Sequence, residues 1–164
     1  MTAQMIAEDT ARLIRPDERP TVDILGIHCQ WKVTSEETGD SYSLIENLVP
    51  PGTGVPLHNH AAPETFYVLE GKLEFGRLGP QGPEWMSAGP GETFHIPGGI
   101  MHGFRNAGDT VGHLLVLFRA DLAAFFEETG IPATPGVFRP PSEQEIARGL
   151  AMMRKHGMQF ADPH

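Results

Sequence analysis

The stretch PGTGVPLHNHAAPETFYVLEG (residues 51–71) holds His58 and His60 one residue apart, then Glu64, with Gly52 near its start and Gly71 at its end. In extended backbone, residues two apart point to the same side, so the imidazoles of His58 and His60 face the same way. Pro63 restricts Ala62 to extended conformations. The resulting bend turns the Glu64 carboxylate back toward the two rings. Three ligands for a divalent cation can thus converge from seven residues. The competing reading is a polar turn that happens to be rich in histidine.

A fourth candidate lies downstream. The segment GPGETFHIPGGIM (89–101) reads as a strand stopped by Pro97 and a turn containing Gly98 and Gly99, after which His102 opens the next strand. Such a turn folds the chain back so that His102 starts beside the first group. Three histidines and one carboxylate leave two positions of an octahedral metal open, as binding a substrate or dioxygen requires. The mixed N/O set suits Fe, Mn, Ni, Co or Zn and lacks the thiolates of a structural zinc site. The expected cofactor is one divalent transition metal per chain.

Outside these segments the chain reads as short strands and tight turns. Its 19 glycines and 15 prolines fall mostly between short apolar runs, the pattern of an all-β domain. Strands are expected over 21–33, 41–50, 92–97, 102–106 and 112–118. A hairpin is expected over ETFYVLEGKLEFGRL (64–78) with its turn at Glu70-Gly71, and GPQGPEW (79–85) reads as a loop. Residues 1–20 form an N-terminal arm with a short helix through Ala11–Ile14. Residues 21–120 form the β domain. Residues 121–164 form a helical extension packed on it. Its first helix spans 120–130, with Asp121 as N-cap and Gly130 as stop. The second spans 142–157, opened by a Ser142–Glu145 capping box, with Ile146, Leu150 and Met153 on one face.

Bulk properties narrow the partners. The formal net charge is −9 and there is no run of Lys or Arg, which argues against nucleic acid. A metal cation or a neutral or apolar small molecule fits the balance better, although acidity also serves solubility alone. The single cysteine, Cys29, forms no internal disulfide and reads as a small core residue. No stretch reaches the ~20 apolar residues of a membrane span, and no secretory leader is recognisable. A cytoplasmic location is expected.

Residues 52–71 follow the pattern G-x5-H-x-H-x3-E-x6-G, and residues 91–106 follow G-x5-P-x-G-x2-H-x3-N. Together these resemble the two signature motifs of the cupin superfamily, with every signature position in place, and the resemblance covers about residues 40–120. It implies a cupin-type double-stranded β-helix, or jelly-roll barrel, with two C-terminal helices added here. By position it implies His58, His60, Glu64 and His102 as metal ligands, with Glu64 also a candidate catalytic base. It further suggests a homodimer. The chain is similar in particular to single-domain bacterial cupins of the quercetin-dioxygenase-like kind.

Strand parity places Phe66 and Val68 with Glu64, and Phe104 with His102. Phe75, Met101 and Phe118 are further candidates for the substrate pocket. All six are equally readable as plain barrel core. Asn106 reads as structural, and Tyr67 as packing. His28, His95 and His113 read as surface or satisfied core histidines. Three functions stay open. One is a dioxygenase acting with dioxygen on an aromatic or enolisable small molecule. The second is a non-redox isomerase, cyclase or lyase using the metal as Lewis acid. The third is a metal- or ligand-binding cupin without catalysis.

Overall fold

A computed structural model describes residues 10–161. Twelve strands and two helices follow in order: β1 Thr21–Ile24, β2 Ile27–Val33, β3 Tyr42–Val49, β4 Gly54–Asn59, β5 Glu64–Glu70, β6 Leu73–Gly79, β7 Gly82–Ala88, β8 Thr93–Ile96, β9 His102–Arg105, β10 Gly112–Arg119, α1 Ala123–Thr129, β11 Ile131–Pro132, α2 Glu143–Lys155 and β12 Gln159–Phe160. They form two antiparallel sheets, one ordered β11-β1-β2-β3-β10-β5-β8 and the other β12-β4-β9-β6-β7. The sequence expectation of an all-β jelly-roll with two C-terminal helices holds.

Alternation builds the core. Along β3, Ser43, Ile45, Asn47 and Val49 point inward, and along β10 so do Leu114, Val116 and Phe118. From the opposite sheet Leu73 and Phe75 meet them, fully buried. Each large apolar side chain so buried contributes about 1.5–3 kcal/mol, and this face-to-face packing holds the sheets together.

The 64–78 hairpin is corrected. β5 pairs with β10 and β8, whereas β6 pairs with β7 and β9. The turn at Gly71, with φ +80°, carries the chain from one sheet to the other. Phe66 and Val68 therefore face Leu73 and Phe75 across the core and do not lie beside them. A hairpin and a sheet crossover share the same alternation and the same glycine, so local pattern does not separate them.

Further local readings change. Segment 21–33 splits into β1 and β2 at Leu25-Gly26, both with positive φ. The Leu25 side chain presses on Gly149 of α2, a tertiary contact that holds a conformation rare for leucine. The expected loop 79–85 is instead a tight turn leading into β7. Pro83 is tolerated because β7 ends its sheet and an edge strand can spare a donor. The short helix expected at 11–14 is not formed, four residues being too few to nucleate one alone; a 3₁₀ turn at Pro16–Glu18 follows instead. Residues 1–9 of the expected arm and 162–164 of the expected extension lie outside the described residues.

At the C-terminal side, Asp121 does not cap α1. Its carboxylate takes two hydrogen bonds from Arg119, at 2.8 and 2.7 Å, because a charge-assisted bidentate pair outcompetes a single cap bond. The Ser142–Glu145 capping box forms as expected: Glu145 N–H donates to Ser142 Oγ, and Ser142 N–H donates to Glu145 Oε2. On α2 the buried positions are Gly149 and Met153, while Ile146 is exposed.

Candidate metal centre

His58 lies in β4 and His102 opens β9, and the two are direct partners across that strand pair. Their ring centroids are 4.5 Å apart. His60 follows β4 immediately. Glu64 opens β5 in the other sheet, opposite Ile96 of β8 and Phe118 of β10. The four side chains thus meet at one end of the sandwich, where the sheets converge, and all are buried.

Two backbone approaches set this convergence. The 97–101 turn is tied down by Gly99 N–H donating to His60 O at 2.7 Å. Gly98 lies so close to Ala61 O that a Cβ there would stand 2.2 Å from it. At Gly103 a Cβ would stand 2.7 Å from Val55 O. The glycine after His102 is what lets β9 approach β4 this closely.

Each imidazole is oriented by the backbone. Nδ1–H of His58 donates to Pro56 O, that of His60 to Ala62 O and that of His102 to Ile100 O, each at 2.8 Å. A carbonyl oxygen only accepts, so these bonds select the tautomer and leave each neutral ring's Nε2 lone pair for another partner. Ring nitrogens of the three histidines all lie within 4.8 Å of one another. Glu64 Oε2 lies 3.1 Å from His60 Nε2 and 3.0 Å from His102 Nε2.

That contact identifies the chemistry. A lone pair on nitrogen and a carboxylate oxygen are both acceptors, and at 3 Å they repel unless a proton or a metal cation lies between them. Protonation alone would place imidazolium charges on two rings whose centroids are 4.8 Å apart. One divalent cation satisfies the whole set with the tautomers already selected. The residues therefore fit a metal. Electrostatics agree. Burial pushes the Glu64 carboxyl up, but its close neighbours His102 and His60 outweigh that and hold it well below the usual carboxylate range. Burial, reinforced by the nearby His102, brings the His58 imidazole down to about 4. At neutral pH Glu64 is a carboxylate and His58 a neutral base, the forms a metal requires.

The cluster opens into a cavity of about 50 Å³, room for only a few waters at about 10–15 Å³ each. Of the candidate pocket residues, Phe66 and Phe104 line it. Val68, Phe75 and Phe118 belong to the sandwich core and, like half-buried Met101, are not in its wall. Sequence reading missed the wall made of Leu122, Phe125, Phe126 and Met153 from the helical turns and Met158 just beyond α2, and also Asn47 in β3. The signal for Asn47 is a polar residue at an inward position between Ile45 and Val49. Nothing in the pattern showed that the helices close the cavity.

The remaining singled-out residues lie elsewhere. His28 is buried against Phe138, His95 bonds Thr65 on the exposed face and His113 bonds Glu46. Tyr67 faces outward. Asn106 donates to Val49 O and Thr110 O and accepts from Gly108 N–H, so it locks the turn after β9. Cys29 touches the cavity, but burial pushes its thiol well above the usual range, which leaves it no nucleophile.

Residues 46–118 match the family model described as the cupin domain. Germin-like protein 3-7 of Oryza sativa subsp. japonica is 32% identical over 94 residues, which are 56% of this chain and 38% of that protein. The chain thus spans well under half the length of that relative. A predicted oxalate decarboxylase from Thermotoga maritima superposes with a TM-score of 0.59 at 20% identity, covering 66% of this chain and 98% of its own. The polyketide cyclase RemF from Streptomyces resistomycificus superposes with a TM-score of 0.59 at 22% identity, covering 83% and 90%. At these identities the likeness is one of fold. No helix among the described residues is long and apolar enough to cross a membrane.

Proposed function

We propose that this chain, whose residues 46–118 match the cupin domain model, is a metal-dependent enzyme acting on a small, largely apolar organic molecule, and that its reaction is a dioxygenation. The observation that carries the metal reading is the placement of Glu64 Oε2 within 3.1 Å of two imidazole Nε2 atoms whose rings are already held by carbonyls. His58, His60, Glu64 and His102 would hold the metal. When bound, it supplies an electrophilic site for a substrate oxygen and a route for electrons to dioxygen.

The chain's own residues supply the rest. Phe66 and Phe104 from the barrel and Phe125 and Met153 from the helices offer the substrate an apolar surface. Leu122, Phe125, Phe126 and Met153 cover one side of the cavity. Glu64 would serve as a ligand and as a candidate base for the substrate's proton.

The test is oxygen uptake coupled to substrate loss in metal-loaded protein, with a screen of enols and phenols. Uptake matching substrate consumed supports the dioxygenase. Turnover retained under argon with zinc reassigns the chain to a non-redox cyclase or isomerase.

A further inference from the structure

Asn47 and Ser43 are the two polar residues on the inward face of β3, and of the two Asn47 lines the cavity. Its inward neighbours Ile45 and Val49 are both 0% exposed, and Asn47 is 4% exposed. It stands beside Cys29 of β2 and Leu114 of β10. Its Oδ1 is buried with no hydrogen-bond partner among the described residues. The side chain lines the same cavity as His58, His60 and Glu64. Leaving an amide oxygen unpaired there costs stability, and an apolar residue would fill the place without that cost. A buried polar group that weakens the fold and faces a ligand cavity has the character of a binding group.

The chemistry of the cavity narrows what it binds. A carboxamide offers both a donor and an acceptor, so it takes a neutral hydroxyl or carbonyl of either polarity. No Lys or Arg lies in the cavity wall. A second carboxylate on the ligand would therefore enter without a counter-charge, at a heavy desolvation penalty. Between Asn47 and the histidine cluster the walls are apolar.

We propose that Asn47 binds the substrate. Its carboxamide holds a neutral hydroxyl or carbonyl at the far end of a small ligand carrying no more than one negative charge, while the ligand's other oxygen lies at the histidine–glutamate cluster. The assignment rests on the metal-enzyme reading and selects monofunctional acids, enols or phenols with one further neutral polar group over dicarboxylates.

Two readouts test it. The first needs no ligand: thermal melting of metal-free wild type, Asn47→Val and Asn47→Ser, the serine being too small to overpack. At least one variant is expected to melt no lower than wild type. Both melting several degrees lower would make Asn47 a fold residue and overturn the assignment. The second is calorimetry on cobalt-loaded protein with butanoate, pentanoate and hexanoate, their terminal hydroxy acids, and the dicarboxylates of matching length. In wild type one hydroxy acid is expected to bind roughly ten-fold or more tighter than its parent and tighter than the matching dicarboxylate. In Asn47→Val that preference falls to about one while the parent acid binds as before. Equal binding within every pair in wild type, or a preference that survives Asn47→Val, overturns the assignment. Failure of wild type to retain cobalt would instead count against the metal reading, and the melting comparison would still decide the role of Asn47.

Discussion

Nε2 of His102 stands 3.0 Å from Oε2 of Glu64 across 38 residues of chain and from the opposite sheet. The contact exists because two crossovers, at Ala61–Pro63 between β4 and β5 and at Gly98-Gly99 between β8 and β9, bring the starts of β5 and β9 to the same end of the sandwich. In the proposed metal centre, removing one of these groups would remove a metal ligand. His102→Ala and His58→Ala are expected to weaken metal affinity by more than the roughly 10–100-fold typical of outer partners. Competition with a chromophoric chelator measures this, and unchanged affinity in either variant would remove that histidine from the ligand set.

Gly103 is expected to be as intolerant as a ligand. A methyl there meets the backbone of β4 at Val55, Pro56 and Leu57, and backbone does not move aside as a side-chain tip does. Gly103→Ala should cost about 1–3 kcal/mol, the range of overpacking, and should spread His102 from His58. Urea unfolding together with metal content checks both effects. A stable variant with full metal would show that the strands can part without harm to the site.

The outer face of β3 provides a pH test. Burial raises the Glu46 carboxyl, but the partners Lys32 and His113 outweigh it and leave the group below its ordinary 4.5. A carboxyl depressed in the folded state contributes stability that is present above about pH 4.5 and lost as pH falls below it. Glu46→Gln should therefore lower the melting temperature at pH 7 and converge with wild type in acid. A difference that persists at low pH would assign the effect to packing.

Met153 joins the cavity to the helical wall. It is 1% exposed, so Met153→Ala should cost about 2–5 kcal/mol while enlarging the cavity beside the histidine–glutamate cluster. Denaturant unfolding measures the loss, and an apolar probe such as xenon reports the new space. A cost well below this range would show that α2 settles inward to fill the gap.

The fold class and the convergence of four side chains were legible in the sequence; the strand connections around them were not. His58, His60, Glu64 and His102 sit at fixed short spacings whose parity can be read directly. By contrast, whether Gly71 closes a hairpin or a crossover depends on which strands the rest of the chain supplies. β7 was hidden by Gly82 and Pro83, residues that mean loop everywhere except at a sheet edge. The positive φ of Leu25 is held by Gly149, more than a hundred residues away. Asn47 was visible as a polar residue in an apolar alternation, but its meaning required the cavity. The part of the helices in closing that cavity depends on tertiary packing, which an amphipathic pattern alone does not specify.

The most direct measurement is the metal content of the untagged protein, by elemental analysis normalised to chain concentration. A first-row transition metal at about one per chain, lost from His102→Ala, is the expected result. Negligible metal in wild type after reconstitution with excess manganese, iron, cobalt, nickel and zinc in turn at neutral pH would contradict the assignment of His58, His60, Glu64 and His102 as a metal centre.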